Sequence, residues 1–290
     1  MANGVLIIDK PSGWTSMDVC AKLRGVFHEK RIGHGGTLDP MATGILVVFV
    51  GRATRAVEFA EGHDKRYLAS LRLGLVTDTQ DTSGRVLEQH PVSVTREELE
   101  AALKTFRGEQ EQVPPMYSAI KHKGRPLYEI ARKGGQVERK ARKIKVYNIS
   151  LAGEAGGDYL LDISCSKGTY VRSLCHDLGQ ALGCGGCMSG LRRLEAGEFR
   201  VEDAYTLAQV QEYADKGRAE ELLLPVDSLF HRLPACTVTQ AQEKKIRCGN
   251  ELPMELADGD YRVYSPAGDF LMLGREEKGI LKTLKSFFEV

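Results

Sequence analysis

One carboxylate stands out for its setting. Residues 32–48 read Ile-Gly-His-Gly-Gly-Thr-Leu-Asp-Pro-Met-Ala-Thr-Gly-Ile-Leu-Val-Val, and Asp39 is the single acid among them. An ionised carboxylate in a shaped loop can act as a nucleophile at carbon or as a base. Glycoside hydrolysis typically requires two carboxylates flanking the bond, and Asp39 has no partner acid in its motif. Gly33, Gly35 and Gly36 permit backbone conformations that a side chain resists, Pro40 restricts Asp39 to an extended or turn geometry, and Gly44 releases the chain into the apolar run 45–50. Taken alone, Leu38-Asp39-Pro40 is also an ordinary Asx turn before a buried strand.

Other side chains capable of chemistry lie further along. Tyr67 follows Lys65 and Arg66 at the head of an alternating run, where it can simply fill a half-buried strand position. Tyr170 and Arg172 stand at the start of a helical pattern beside Gly168 and Thr169, a place where helices also bind phosphate. The polar turn 77–84 lacks the downstream glutamate of a calcium loop. Seven cysteines are scattered without a disulfide framework, and Cys184 and Cys187 form one Cys-x-x-Cys with no second pair to complete a zinc site.

Between Lys121 and Lys145 ten Lys/Arg stand against two Glu, although the whole chain has a formal net charge of only +1. Gly124, Pro126, Gly134 and Gly135 interrupt this run, so it reads as an inserted basic arm able to grip phosphates, with a solvated face as the simpler reading.

The elements that must position these groups follow from pattern. Residues 4–9 read as a buried strand and 16–28 as a helix with Val19, Leu23, Val26 and Phe27 on one side. Strands are expected over 45–50 and 67–73, with a short helix near 53–60 between them. Thr95 with Glu98 forms a capping box for a helix to about Phe106. Residues 143–151 and 159–166 read as paired strands around a 153–158 turn, and 169–182 as an amphipathic helix ended by Gly183. Trp14 reads as a packing residue, Lys10 as a charge at a strand end, and Arg192 and Arg193 as surface charges. At 290 residues, 42% hydrophobic and 27% charged, the chain is an ordinary globular protein with room for one large unit and a small one. No run of about 18 apolar residues spans a membrane and the first residues do not form a signal peptide, so the expected place is the cytoplasm.

The segment Gly33–Gly44 closely resembles the signature of the TruB family of tRNA pseudouridine-55 synthases. Asp9–Ser16, Lys65–Tyr67 and Lys167–Leu174 match further family motifs in the same order. The resemblance implies an α/β (α+β) pseudouridine synthase fold with a mixed, mainly antiparallel central sheet, and a small β-rich PUA-like C-terminal domain. It divides the chain into a catalytic domain at 1–226, with the basic insertion at about 121–145, and a tail at 227–290. It makes Asp39, Tyr67, Tyr170 and Arg172 catalytic, with Arg172 bridging to Asp39, a pairing that would lower an aspartate pKa by about 1–3 units. His34, Lys10, Leu191, Gly33 and Thr43 become substrate-binding, with His34 a polar wedge and Leu191 against the base. Lys121, Lys123, Arg125, Arg132, Lys133, Arg139, Lys140, Arg142 and Lys143 become the RNA-binding arm. The implied partner is the T-arm stem-loop of tRNA, read by a monomer without guide RNA, metal or cofactor. An RNA-binding or tRNA-folding protein in which catalysis is secondary is the alternative from another class.

Deleting residues 121–145 is expected to weaken RNA binding and flatten its dependence on salt. An unchanged salt slope would reduce the run to a solvated face.

Overall fold

Strands Gly4–Lys10 and Thr43–Val50 are apolar on both faces, so both faces must be covered. Leu6, Ile8, Leu46, Val48 and Val50 pack against Val19, Leu23 and Phe27 of helix Ser16–Phe27. Val5, Ile7, Ile45, Val47 and Phe49 pack on the other side with Ala53, Ala56 and Ala60, with Val226 and Phe230, and with Leu273 and Phe287 near the C-terminus. Strand Lys65–Leu73 alternates instead, sending Tyr67, Ala69, Leu71 and Leu73 into a second core with Leu99 and Leu103 of helix Arg96–Thr105 and Leu174 and Leu178 of helix Val171–Ala181. The computed structural model describes residues 2–288.

Among the described residues, nine strands form one mixed sheet. Its main path runs 4–10, 43–50, 186–196, 65–73, 158–165, 142–155, 108–112. Every neighbour on this path is antiparallel except 43–50 beside 186–196, which pair in parallel over Arg192↔Thr43 and Arg193↔Gly44 alone. Beyond that point strand Ile32–Gly35 takes the place beside residues 47–50. The sheet therefore forks at its centre, and the loop 36–42 leaves from the fork. Strands 235–237, 259–264, 270–277, 280–286 and 252–253 form a separate five-stranded sheet. No helix among the described residues is long and apolar enough to cross a membrane.

The mixed, mainly antiparallel sheet and the β-rich C-terminal unit agree with the expected fold class. Local limits differ where pairing extends an element. The strands expected at 143–151 and 159–166 run over 142–155 and 158–165 with a turn at Gly156 and Gly157, because a ladder continues as long as partners face each other. Strands 32–35, 108–112 and 186–196 carried too many glycine or charged residues to be read from alternation, and pairing alone makes them strands.

The fork depends on one glycine. Gly44 has φ +93°, and a Cβ there would lie 2.2 Å from the Arg193 carbonyl oxygen and 2.7 Å from its nitrogen. Gly44→Ala is therefore expected to cost at least about 1–3 kcal/mol from backbone strain alone, before the overlap is added. Urea unfolding would measure it, and a wild-type midpoint would show that the strands do not need this approach.

Candidate active site

The Asp39 loop is held at both ends and from beneath. Leu38 and Ala42 are buried in the core while Asp39, between them, keeps its side chain 32% exposed. The Ala42 N–H donates to the Asp39 carbonyl at 3.0 Å, closing the turn around Pro40. Arg193 spans the fork with its guanidinium fully buried, donating through Nε to the Ile45 carbonyl at 2.7 Å and through Nη2 to the Gly36 carbonyl at 3.0 Å. Arg193 is thus no surface charge, because strand pairing turns it inward; Arg192 faces out and binds Asp9 at 2.8 and 3.0 Å.

From below, Lys10 is also buried, and its Nζ donates to the carbonyls of Pro11, Trp14 and Pro40 at 2.9, 2.6 and 3.2 Å. Burial pulls this lysine down to about 8 against the opposing field of Asp39. The bond to Pro40 reaches the loop, and the other two tie Lys10 to the 11–14 turn beneath. The Gly13 N–H donates to Pro40 at 2.8 Å, and Ser16 Oγ exchanges bonds with the backbone of Leu38. The expected strand-end charge is an internal staple. Trp14, expected in the core, is 37% exposed, and it is its backbone carbonyl that Lys10 uses.

Arg172 supplies the central contact. It sits in the first turn of helix Val171–Ala181, only 5% exposed, with Nε 2.9 Å and Nη2 3.3 Å from the two Asp39 oxygens. The same guanidinium donates to the Thr79 carbonyl at 3.0 Å and the Tyr117 carbonyl at 2.7 Å, and lies 3.5 Å from Asp81. Asp81 is itself buried and held by Thr79 Oγ1 and by the Ser83 N–H.

The ion pair alone would lower Asp39, as the sequence led us to expect. The outcome is the reverse: burial pushes the Asp39 carboxyl above its ordinary value, Arg172 pulls it back, Asp81 pushes it up again as a like charge, and Lys10 pulls it down.

Tyr67 and Tyr170 border the same space. Tyr67 is 8% exposed and faces Arg193 across the ladder; burial raises its phenol, and Arg193 opposes this. Burial raises Tyr170 likewise, and both phenols feel the Asp39 charge. His34 lies on strand 32–35 with Nδ1 buried and unpartnered, and burial with Arg193 nearby keeps the imidazole neutral to lower pH than usual. Thr43 Oγ1 reaches the Leu191 carbonyl at 3.5 Å at the fork, so these two residues meet. Gly33 lies in regular strand without positive φ; of the three loop glycines only Gly36, at φ +84°, needs the freedom expected of all of them.

The basic run divides in two. Lys121–His122 and Arg125–Pro126 form a small hairpin and Leu127–Arg132 a helix, with Lys121, Lys123, Arg125, Arg132, Lys133 and Lys140 exposed and Arg139 donating to the Pro114 carbonyl at 2.9 Å. Arg142 and Lys143 belong instead to strand Arg142–Ala155, paired with Gln112 and Glu111. The insertion therefore ends at 141, and a cut carried to 145 would also shorten the sheet.

Asp81, Thr79, Tyr117, Gln112 and Arg193 escaped sequence reasoning, since each is important only for what it meets across the fold. The Cys184–Cys187 pair is buried, and burial pushes the Cys187 thiol up to about 11, away from the thiolate that metal binding or redox exchange uses.

Residues 24–171 match the TruB family pseudouridylate synthase (N terminal domain), and residues 172–231 the tRNA pseudouridylate synthase B C-terminal domain. Similar proteins named tRNA pseudouridine synthase B include one from Clostridium kluyveri, 40% identical over 98% of this chain and 99% of the relative. Another, from Azoarcus sp., is 42% identical over 97% of this chain and 94% of the relative. Among solved structures, a Cbf5-Nop10-Gar1 complex contains a chain with TM-score 0.75 and 27% identity over 98% of this chain and 85% of its own. An H/ACA RNP bound to a substrate RNA containing 2′-deoxyuridine contains one with TM-score 0.74 and 25% identity over 99% and 85%. With two family domains in register along 24–231 and whole-length relatives at 40% identity and above, the chain belongs to the TruB family of pseudouridylate synthases.

Proposed function

We propose that this chain converts a uridine of tRNA into pseudouridine, with uridine 55 of the T-loop as its target and Asp39 as the reacting carboxylate. The observation that carries the reading is the Asp39–Arg172 pair, a single reachable carboxylate gripped by a buried cation, in a chain whose relatives are named tRNA pseudouridine synthase B. The reaction breaks the N1–C1′ bond, turns the uracil and joins C5 to C1′. It is an isomerisation, so its atoms and electrons balance without a second substrate.

Attack at C1′, addition at C6 and removal of a ribose proton all begin with Asp39 ionised. Arg172 favours that form and fixes the direction of the carboxylate. A uridine in a folded loop must first leave its stack, at a cost of a few kcal/mol. In this reading Tyr67 stacks on the extruded base for about 1–3 kcal/mol, Leu191 lines the pocket, and Gly33 and Thr43 shape it. His34 fills the place the nucleotide left, and Tyr170 assists proton removal at C5. Lys10 serves the substrate indirectly, through the loop it staples. The exposed cations of 121–141 grip T-arm phosphates.

In this reading the enzyme works as a monomer on tRNA in the cytoplasm, without guide RNA. Residues 1–226 form the catalytic domain in this reading and 227–290 a PUA-like tail that packs against it through Leu273 and Phe287.

Two outcomes are expected. Asp39→Asn should bind an unmodified tRNA transcript while losing pseudouridine at position 55 by orders of magnitude, mapped by nucleotide; near-normal turnover would end the assignment. Because burial and Asp81 raise Asp39 above the ordinary 3.8, the rate should fall on acidification at a pH above that value. Asp81→Asn removes a like charge and should shift this acid limb to lower pH, whatever happens to the plateau. An unmoved limb in a pH series of single-turnover rates would contradict the electrostatic account.

A further inference from the structure

Among the described residues, four helices begin with a threonine whose hydroxyl caps the first turn, at Thr15, Thr95, Thr206 and Thr239, each in a full capping box. The helix that carries Arg172 does not. Its N-cap is Tyr170, and no side chain of the helix's own start satisfies the first turn. The start is held from outside, by Gln112.

Gln112 ends strand Gly108–Gln112 and is 4% exposed. Its amide engages the backbone of Tyr170 twice: Oε1 accepts from the Tyr170 N–H at 2.8 Å and Nε2 donates to the Tyr170 carbonyl at 3.1 Å. Both functions of the amide are used, one as acceptor and one as donor, which no carboxylate or hydrocarbon of that size can do. A residue so held cannot rotate about the chain direction without breaking one of the two bonds.

The residue after Gln112 opens the segment that leads to the basic arm. That segment includes Tyr117, whose carbonyl accepts from Arg172 Nη2 at 2.7 Å. A circuit therefore closes: the strand end fixes Tyr170, Tyr170 begins the helix, Arg172 two residues later reaches Asp39, and the same guanidinium returns to the arm's root.

We infer that Gln112 is a positioning residue for the reaction, setting the phase of the first helical turn so that Tyr170 and Arg172 meet Asp39 in register, and coupling the root of the arm to the ion pair. The inference rests on the proposed isomerisation at Asp39. The bland role for a buried, hydrogen-bonded glutamine is stability alone, and the two roles separate by experiment.

Gln112→Met keeps the volume and removes both bonds, whereas Gln112→Glu keeps the acceptor and loses the donor. Single-turnover pseudouridine formation on a tRNA transcript at saturating enzyme, RNA affinity by filter binding and a thermal melt would be measured for both. The expected result for Gln112→Met is a rate lower by about 10–100-fold, the scale of a small misplacement of reacting groups, with affinity within about threefold of wild type. Its acid limb should move to higher pH, because a loosened Arg172 opposes the protonation of Asp39 less.

A lowered melting midpoint with wild-type rate and limb at temperatures where the variant is folded would overturn the inference. Should Gln112→Met fail to fold, Gln112→Glu decides: a rate below wild type with affinity retained supports the role, and a wild-type rate overturns it. Asp39→Asn in the same assay separates the two layers. If it remains active, the reading of the site falls; if it is inactive while the Gln112 variants match wild type, only the role of Gln112 falls.

Discussion

A buried guanidinium must be surrounded by oxygen or it destabilises the fold by several kcal/mol, and Arg172 meets that demand with groups from three distant places. Asp39 comes from the central fork, Thr79 and Asp81 from a polar turn, Tyr117 from the root of the arm, and the arginine from a helix start. None of these segments is near another in sequence. Their meeting point is the reason Asp39 faces one direction, and the same contact opposes the cost of keeping a carboxylate charged inside protein. Burial still has the larger effect, so the acid is both ionisable and more basic than an exposed aspartate.

Two further buried cations complete the frame. Arg193 and Lys10 bond mainly to main-chain carbonyls at the ends and underside of the loop rather than to acids. Their charge is thus spread over peptide dipoles, and the one carboxylate at the loop's crest stays available to a ligand. Leu38 and Ala42, sunk in the core on either side of Asp39, fix the loop by packing as well as through the hydrogen bonds of their backbones. A site assembled from such rigid parts spends little energy ordering itself when substrate arrives.

The arm has the opposite character. Its cations are exposed, its hairpin and helix are short, and Leu127 is its one deeply buried side chain. Such a segment suits a polyanion whose backbone supplies the missing contacts. Its root, however, joins the rigid part through Tyr117 and Gln112, so the arm and the Asp39 loop share one mechanical connection.

The amino-acid sequence by itself determined the family, through the Gly33–Gly44 segment and three more motifs in order, and with it the mixed fold and the expectation that Arg172 meets Asp39. It also determined the elements whose signals are local: the helix at Ser16–Phe27, the capping box at Thr95, and the alternating strand through Tyr67. Only the tertiary structure decided which charges turn inward. Lys10 and Arg193 carry no local mark that separates them from surface residues, because Lys10 meets Pro40, and Arg193 meets Gly36 and Ile45, only once the chain has folded. The sign of the Asp39 shift was decided there too. A motif can name its counterion, but the extent of burial and the approach of Asp81 exist only once the chain has closed around the loop.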